Sequence, residues 1–165
     1  MIILICGYPG VGKTTLANEI GSLINAIVLS TDKIRKELIE KPNYTEEEKK
    51  LIYNVIILIA KYLHNAELTC ILDGTFNTQQ SREDIKRKLQ LSDDQFKIVE
   101  CICPGELIIS RLQNRKRGYS DADVFIYRKI KEKYEPIEEK HITVDTSQAL
   151  KKIVTEVANK IKNEP

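Results

Sequence analysis

Gly7-Tyr8-Pro9-Gly10-Val11-Gly12-Lys13-Thr14 reads G-x-x-x-x-G-K-[ST], the pattern of a phosphate-binding loop. The apolar run Ile2-Ile3-Leu4-Ile5-Cys6 precedes it as a strand, and Thr15-Leu16-Ala17-Asn18-Glu19-Ile20 follows it as the start of a helix. Strand, glycine-rich loop and helix are the context this motif needs. Its glycines let the chain turn so that successive N–H groups face inward as an anion cradle. The helix behind the loop aims its positive end at the same point. Lys13 is predicted to reach the β- and γ-phosphates of ATP, and the Thr14 hydroxyl to hold Mg²⁺. Nucleotide binding is therefore assigned to Gly7, Tyr8, Pro9, Gly10, Val11, Gly12, Lys13, Thr14 and Thr15.

The composition narrows the class. A chain of 165 residues, 42% apolar and 30% charged, is expected to form one soluble globular domain spanning 1–165. A formal net charge of +2 neither demands nor excludes a nucleic-acid partner. Strand-type sequence begins almost at Met1, with no basic leader or cleavage site. No apolar run approaches the roughly 20 residues of a membrane span. Cys6, Cys70, Cys101 and Cys103 lie in apolar strand-like runs and read as small core residues rather than disulfide partners or metal ligands. A reducing, cytoplasmic setting is expected.

Apolar runs alternate with helical patterns throughout, which predicts a parallel α/β sheet. Helices are expected over Lys13–Ile24, Asp32–Glu40, Thr45 to about Asn65, Thr78–Gln90, Pro104 to about Lys116, Ser120 to about Tyr134, and Ser147 to about Lys162. Strands are expected over Ile2–Cys6, Ala26–Leu29, Leu68–Leu72, Phe96–Cys103 and Ile142–Val144. Thr45-Glu46-Glu47-Glu48 forms a capping box. The implied fold is a three-layer α/β/α sandwich with a five-stranded parallel sheet. Its ligands should lie at the carboxyl ends of the strands.

Three further constellations carry chemistry. In Ser30-Thr31-Asp32-Lys33-Ile34-Arg35, Asp32 and Arg35 share a helix face just past the second strand. Asp32 suits a base that takes a proton from an attacking hydroxyl, and Arg35 suits a bidentate clamp on an anionic acceptor. An N-terminal Asp cap beside a solvent-exposed Arg fits the same residues. In Ile71-Leu72-Asp73-Gly74-Thr75, an acidic residue ends an apolar strand, which suits Mg²⁺ binding or the acceptor clamp; a turn-forming Asp-Gly is the alternative. Arg82 could reach the acceptor side from the fourth helix, but reads more readily as a surface residue. In Arg111-Leu112-Gln113-Asn114-Arg115-Lys116-Arg117-Gly118, Arg111 and Arg115 share a helix face. This basic segment reads as the start of a lid over about 111–125 that closes on the triphosphate, or as a solvated turn or nucleic-acid patch. There is no Asn-Lys-x-Asp guanine signature, and Asp73 lacks a glycine at the GTPase spacing. Tyr44, Tyr53 and Phe76 are candidates for the acceptor pocket or the core.

Taken together, these residues resemble the small P-loop kinases of the AAA_33 type. These are related to the kinase domain of 5′-polynucleotide kinases, to seryl-tRNA kinases and to zeta-type toxin kinases. The resemblance covers nearly the whole chain and includes Ser120-Asp121-Ala122-Asp123, Tyr134-Glu135-Pro136 and Val144-Asp145-Thr146. It implies an ATP- and Mg²⁺-dependent phosphotransferase acting on a hydroxyl of a small molecule or of an RNA or DNA end. Asp32 would be the base. Arg35 and Asp73 would lie on the acceptor side, with Thr14 and Asp73 at the metal. Lys13, Arg111 and Arg115 would lie on the ATP phosphates. Polynucleotide kinases usually follow the strand-3 Asp with Thr-Asn, whereas this chain has Gly74-Thr75-Phe76-Asn77. A small nucleotide or metabolite kinase and an ATP-binding switch are the competing readings. Oligomeric state is not encoded in any motif.

Overall fold

The computed structural model describes residues 1–115 and 118–163. Five runs rich in Ile, Val and Leu form the strands β1 (Ile2–Cys6), β2 (Ile27–Ser30), β3 (Cys70–Asp73), β4 (Phe96–Ile102) and β5 (Ile142–Asp145). They make one parallel sheet in the order β2-β3-β1-β4-β5. Helices α1 (Lys13–Ile24), α2 (Thr31–Leu38), α3 (Glu46–Asn65), α4 (Gln79–Lys88), α5 (Gly105–Gln113), α6 (Val124–Lys131) and α7 (Leu150–Asn163) connect and cover it. This is the predicted three-layer α/β/α architecture.

A strand covered on both faces must be apolar at every position, and β1 is fully buried throughout. Its alternation divides the core. Ile3 and Ile5 pack with Leu16, Ala17 and Ile20 of α1, Ile108 of α5, and Ile153 and Val157 of α7. Ile2 and Leu4 pack with Ile52, Ile56 and Ala60 of α3 and Ile85 of α4. Register then aligns the strand ends. Asp73 pairs with Ile5 on one side and with Ser30 on the other. The last residue of β3 is thereby held level with the end of β1, where the glycine-rich loop begins.

Several boundaries shift by a few residues, and two of the shifts bear on the site. The sixth helix starts at Val124 rather than near Ser120, with Asp123 accepting a hydrogen bond from the Ile126 N–H at 2.9 Å. Residues 119–122 run as irregular chain because Asp121 is drawn to α2. The fifth helix ends at Gln113, where Asn114 Nδ2 donates to the Ser110 carbonyl at 2.9 Å. Asn114 and Arg115, expected to continue it, are not helical, and Lys116, its expected end, and Arg117 lie outside the described residues. The four cysteines are free thiols, with Cys6, Cys70 and Cys101 buried. Among the described residues no helix is long and apolar enough to cross a membrane.

Arg82 overturns its reading as a surface residue: it is 0% exposed. Its guanidinium donates to the Phe76 carbonyl at 3.0 Å and to the Pro136 carbonyl at 2.8 Å, with Glu139 3.9 Å from Nε. It therefore ties the loop after β3 to the segment after α6. Two more bonds join the same pieces: Glu135 N–H to the Asn77 carbonyl at 2.9 Å, and Gln79 N–H to Glu135 Oε2 at 2.6 Å. Removing a buried cation strands its acceptors and leaves a void. Arg82→Ala should cost about 3 kcal/mol or more in urea unfolding. Arg82→Lys should recover only part, since a single ammonium cannot span two carbonyls on different segments.

Candidate functional site

Three glycines shape the loop that joins β1 to α1. Gly7 has φ +135°, and a Cβ there would sit 2.5 Å from the Cys101 carbonyl oxygen. Gly12 caps α1 at φ 105° without a side-chain capping bond. Both are conformations that L side chains rarely adopt, so the sequence leaves little choice here. The loop is backed from outside: the Val11 carbonyl accepts from Arg111 Nη1 at 2.9 Å and from the Thr146 hydroxyl. Arg111 also donates to the Thr146 carbonyl at 2.8 Å and to Thr146 Oγ1 at 3.2 Å. Pulling this carbonyl outward leaves the inner side of the loop to N–H groups. Arg111, expected on the ATP phosphates, lines the same cleft and bonds through its two terminal nitrogens to the loop and to the residue after β5. Arg115 is exposed and bonds the Ala122 carbonyl at 3.5 Å.

At the loop's far end, Lys13 Nζ donates to the Tyr8 carbonyl at 2.9 Å. The Thr14 hydroxyl donates to Asp73 Oδ2 at 2.6 Å. Asp73 is only 2% exposed, and its other oxygen is buried without a hydrogen-bond partner. A hydroxyl beside a carboxylate with one unpartnered oxygen fits Mg²⁺, which takes few protein ligands and keeps phosphate and water for the rest. Among the described residues there is no cluster of three or more His, Cys, Asp or Glu side chains, so a metal held by protein ligands alone does not fit. The Tyr8 ring faces away from the cradle, 5.6 Å from the Tyr127 ring and 4.7 Å from that of Tyr134.

One cleft of about 1720 Å³ joins this loop to α2, the N-terminal turns of α3 and the segment 118–122. Ligand pockets are typically roughly 300–1,000 Å³, so this one has room for two ligands side by side. Pro9, Gly10, Gly12, Lys13, Thr14 and Thr15 line one part of it, and Asp32, Arg35, Tyr44 and Tyr53 another. Phe76 is buried, stacked behind Tyr53 at 5.5 Å, and belongs to the core.

The Asp32 and Arg35 pair forms as their spacing predicts, at 3.2 Å. A third member was not visible in the sequence. Glu48 lies 2.9 Å from Arg35 Nε, both side chains being about nine-tenths buried. Its second oxygen accepts from the N–H groups of Asn43 at 2.7 Å and Tyr44 at 3.1 Å. Thr45 caps α3 as expected, but Glu48 closes the box onto the preceding residues because it also serves Arg35. The Arg35 guanidinium stacks on the Tyr44 ring at 5.0 Å. Arg35 is thereby fixed and holds one oxygen of Asp32, a half-exposed side chain in the cleft.

Opposite α2, Asp121 accepts from Lys36 Nζ at 2.7 Å and from the Tyr44 hydroxyl. Lys36 also donates to the Gly118 carbonyl at 3.2 Å. These contacts bridge the cleft's two walls. Burial and the bond to Asp121 push the Tyr44 hydroxyl up, and the Lys36 and Tyr44 bonds hold the Asp121 carboxyl below its ordinary range.

Comparison with known proteins places these features in a family. The model of the AAA_33 family, described as an AAA domain, matches residues 2–137. An uncharacterised protein of Mycobacterium tuberculosis is 30% identical over 135 residues, covering 73% of this chain but 27% of that protein. The chain thus spans about a quarter of the length of such relatives. An adenylate kinase of Bartonella bacilliformis is 29% identical over 127 residues, covering 70% of this chain and 66% of that one. Among solved structures, a sugar kinase from Janibacter sp. superposes with a TM-score of 0.77 at 15% identity, covering 99% of this chain and 95% of that one.

Burial raises the Asp73 carboxyl above its ordinary value, more than Lys13 and the Thr14 bond lower it. Its contribution to stability is therefore complete below the ordinary carboxylate pKa and is lost as pH rises through the raised value. Wherever pH lies above that raised value, Asp73 burdens the ligand-free fold. Asp73→Asn should raise Tm in the absence of nucleotide and remove the extra Tm gain that Mg²⁺ adds to ATP. Differential scanning calorimetry reads both; a lower ligand-free Tm would contradict the assigned cost.

Proposed function

The chain belongs to the AAA_33 family of AAA domains, and from that membership we propose that it is an ATP- and Mg²⁺-dependent phosphotransferase whose acceptor is an alcohol. The observation that carries this reading is Asp32. Its carboxylate lies in the same cleft as the phosphate loop, with one oxygen held by the fixed Arg35. A hydroxyl acceptor must lose a proton as it attacks, and a positioned carboxylate takes it. A phosphate acceptor needs no such base.

In this mechanism the loop N–H groups and Lys13 hold the β- and γ-phosphates. Thr14 and Asp73 are the residues that would hold Mg²⁺, which supplies charge neutralisation between the phosphates when bound. Glu48 keeps Arg35 in place, and Arg35 keeps Asp32 aimed at the acceptor hydroxyl. Arg111 acts indirectly by holding the Val11 carbonyl out of the cradle. Arg115 is the lid residue free to swing toward the phosphates. The walls bridged at Asp121 favour an acceptor small enough to fit beneath them over a polymer end. Catalysis by such a site is mostly positioning and electrostatics. The chain's likeness in fold to a sugar kinase accords with an alcohol acceptor. Similarity to an adenylate kinase supports a second reading, transfer to a nucleoside monophosphate.

The test is transfer from γ-labelled ATP to a panel of sugars, polyols, nucleosides, 5′-hydroxyl oligonucleotides and nucleoside monophosphates. Label should appear on a hydroxyl compound. Asp32→Asn should lower kcat by roughly 10²–10⁴-fold, with ATP binding and Tm preserved. Lys13→Ala should abolish transfer. Full turnover by Asp32→Asn with label on a monophosphate would establish the second reading. Tight ATP binding with no transfer to any compound would instead favour a switch.

A further inference from the structure

Helix α3 (Glu46–Asn65) is apolar on two sides. One side is buried: Ile52, Ile56 and Ala60 are at most 1% exposed and pack on the sheet. On another side Leu51, Leu58 and Tyr62 are 52%, 54% and 70% exposed. With the half-buried Val55 they follow each other at spacings of four, three and four residues. That spacing is the seam of a two-helix coiled coil. A helix on a protein surface ordinarily turns a polar face outward, so this stripe is unpartnered among the described residues.

Charge along the stripe selects its occupant. Glu47 stands near the start of the helix and Lys61 near its end, on the same flank of the stripe and both exposed. Neither takes an ion-pair partner inside the chain among the described residues. If a second copy lay parallel, equivalent flank residues would fall on opposite sides of the seam, and each Glu47 would stay a long way along the helix from either Lys61, so neither charge would gain a partner. If it lay antiparallel, Glu47 would meet Lys61 twice, once at each end. In that same register Leu51 meets Leu58 of the other copy, and Val55 lies at the two-fold axis. The helix dipoles also oppose favourably in this arrangement. A seam along a helix of 20 residues extends roughly 30 Å.

We propose that this face is an isologous homodimer interface, in which α3 packs antiparallel on α3 of a second copy about a two-fold axis near Val55. The contact closes on itself, as two-fold interfaces do, and leaves no stripe exposed. It stands independently of the kinase reading.

Sedimentation equilibrium of the full chain at micromolar concentration should give twice the 18.9 kDa protomer mass. Leu58→Glu should give the protomer mass with the circular dichroism, Tm and ATP affinity of a folded chain. Lys61→Glu should weaken the dimer roughly tenfold through two like-charge contacts, and Glu47→Lys combined with Lys61→Glu should restore it. Val55→Cys should cross-link to a covalent dimer on mild oxidation, with the native chain as blank. A native chain that stays at the protomer mass, a dimer that Leu58→Glu leaves intact, or Val55→Cys that never cross-links would each overturn the proposal.

Discussion

The hydrogen bond from the Thr14 hydroxyl to Asp73, at 2.6 Å, is the constraint on which the rest of the site depends. It joins the first turn of α1 to the end of β3, two pieces far apart in sequence. The bond forms only because the parallel register sets Asp73 opposite Ile5, and that register rests on a strand buried on both faces. The carboxylate gains one partner and keeps one buried oxygen without any. Such an atom is a cost to the ligand-free fold. It is tolerable where a cation completes it, and Thr14 places this one beside the phosphate cradle. Core packing and the electrostatics of the cradle are two ends of one arrangement.

The acceptor side is built differently. Asp32 and Arg35 lie on one short helix, but a helix of eight residues cannot fix its own long side chains. Rigidity comes from α3, through Glu48 at 2.9 Å and the Tyr44 ring. Glu48 is itself bound by the N–H groups of Asn43 and Tyr44, so the entry to α3 and the orientation of Asp32 share a single carboxylate. A buried ion pair costs desolvation that its attraction barely repays. Its benefit is geometric: it fixes Asp32, and the proposed role of Asp32 as a base would need a position more accurate than a free rotamer allows.

Much of this was legible in the sequence, and what was not has a common cause. The phosphate loop is local: its glycines are dictated by the turn they make, so motif and structure coincide. The pairing of Asp32 with Arg35 follows from helical periodicity, and the five parallel strands from apolar runs alternating with helical patterns; their order β2-β3-β1-β4-β5 was not in the sequence. Glu48 was visible only as a capping residue, because no sequence rule reports which arginine will lie across an interhelix gap. Arg82 looked exposed because its acceptors are carbonyls of Phe76 and Pro136, which leave no side-chain signature. Spacing put Arg111 and Arg115 on one face, but Thr146 at the end of β5 decides where that face turns. Ser120 was the expected start of α6, but Lys36 and Tyr44 hold Asp121 and the cap falls to Asp123. Each miss is a long-range contact, and each hit is a local rule.

The two flanks of α6 show how such contacts divide labour. Beyond its C-terminal end the chain is rooted by Arg82, fully buried and bonded to two carbonyls, and by Glu135 bridging to Gln79 and Asn77. Ahead of its N-terminal end it is fastened by Asp121, whose side chain is 51% exposed, to a partly exposed Lys36. Exposed pairs of this kind contribute roughly 0–1 kcal/mol, whereas dismantling a buried charged group costs several times more. Thermal motion therefore releases the exposed fastening long before it disturbs the root. The proposed phosphoryl transfer would need water excluded while the chemistry proceeds, and an open door before and after. A firm root with a weak tip would supply both in that reading, the difference in burial between Arg82 and Asp121 setting which end yields first.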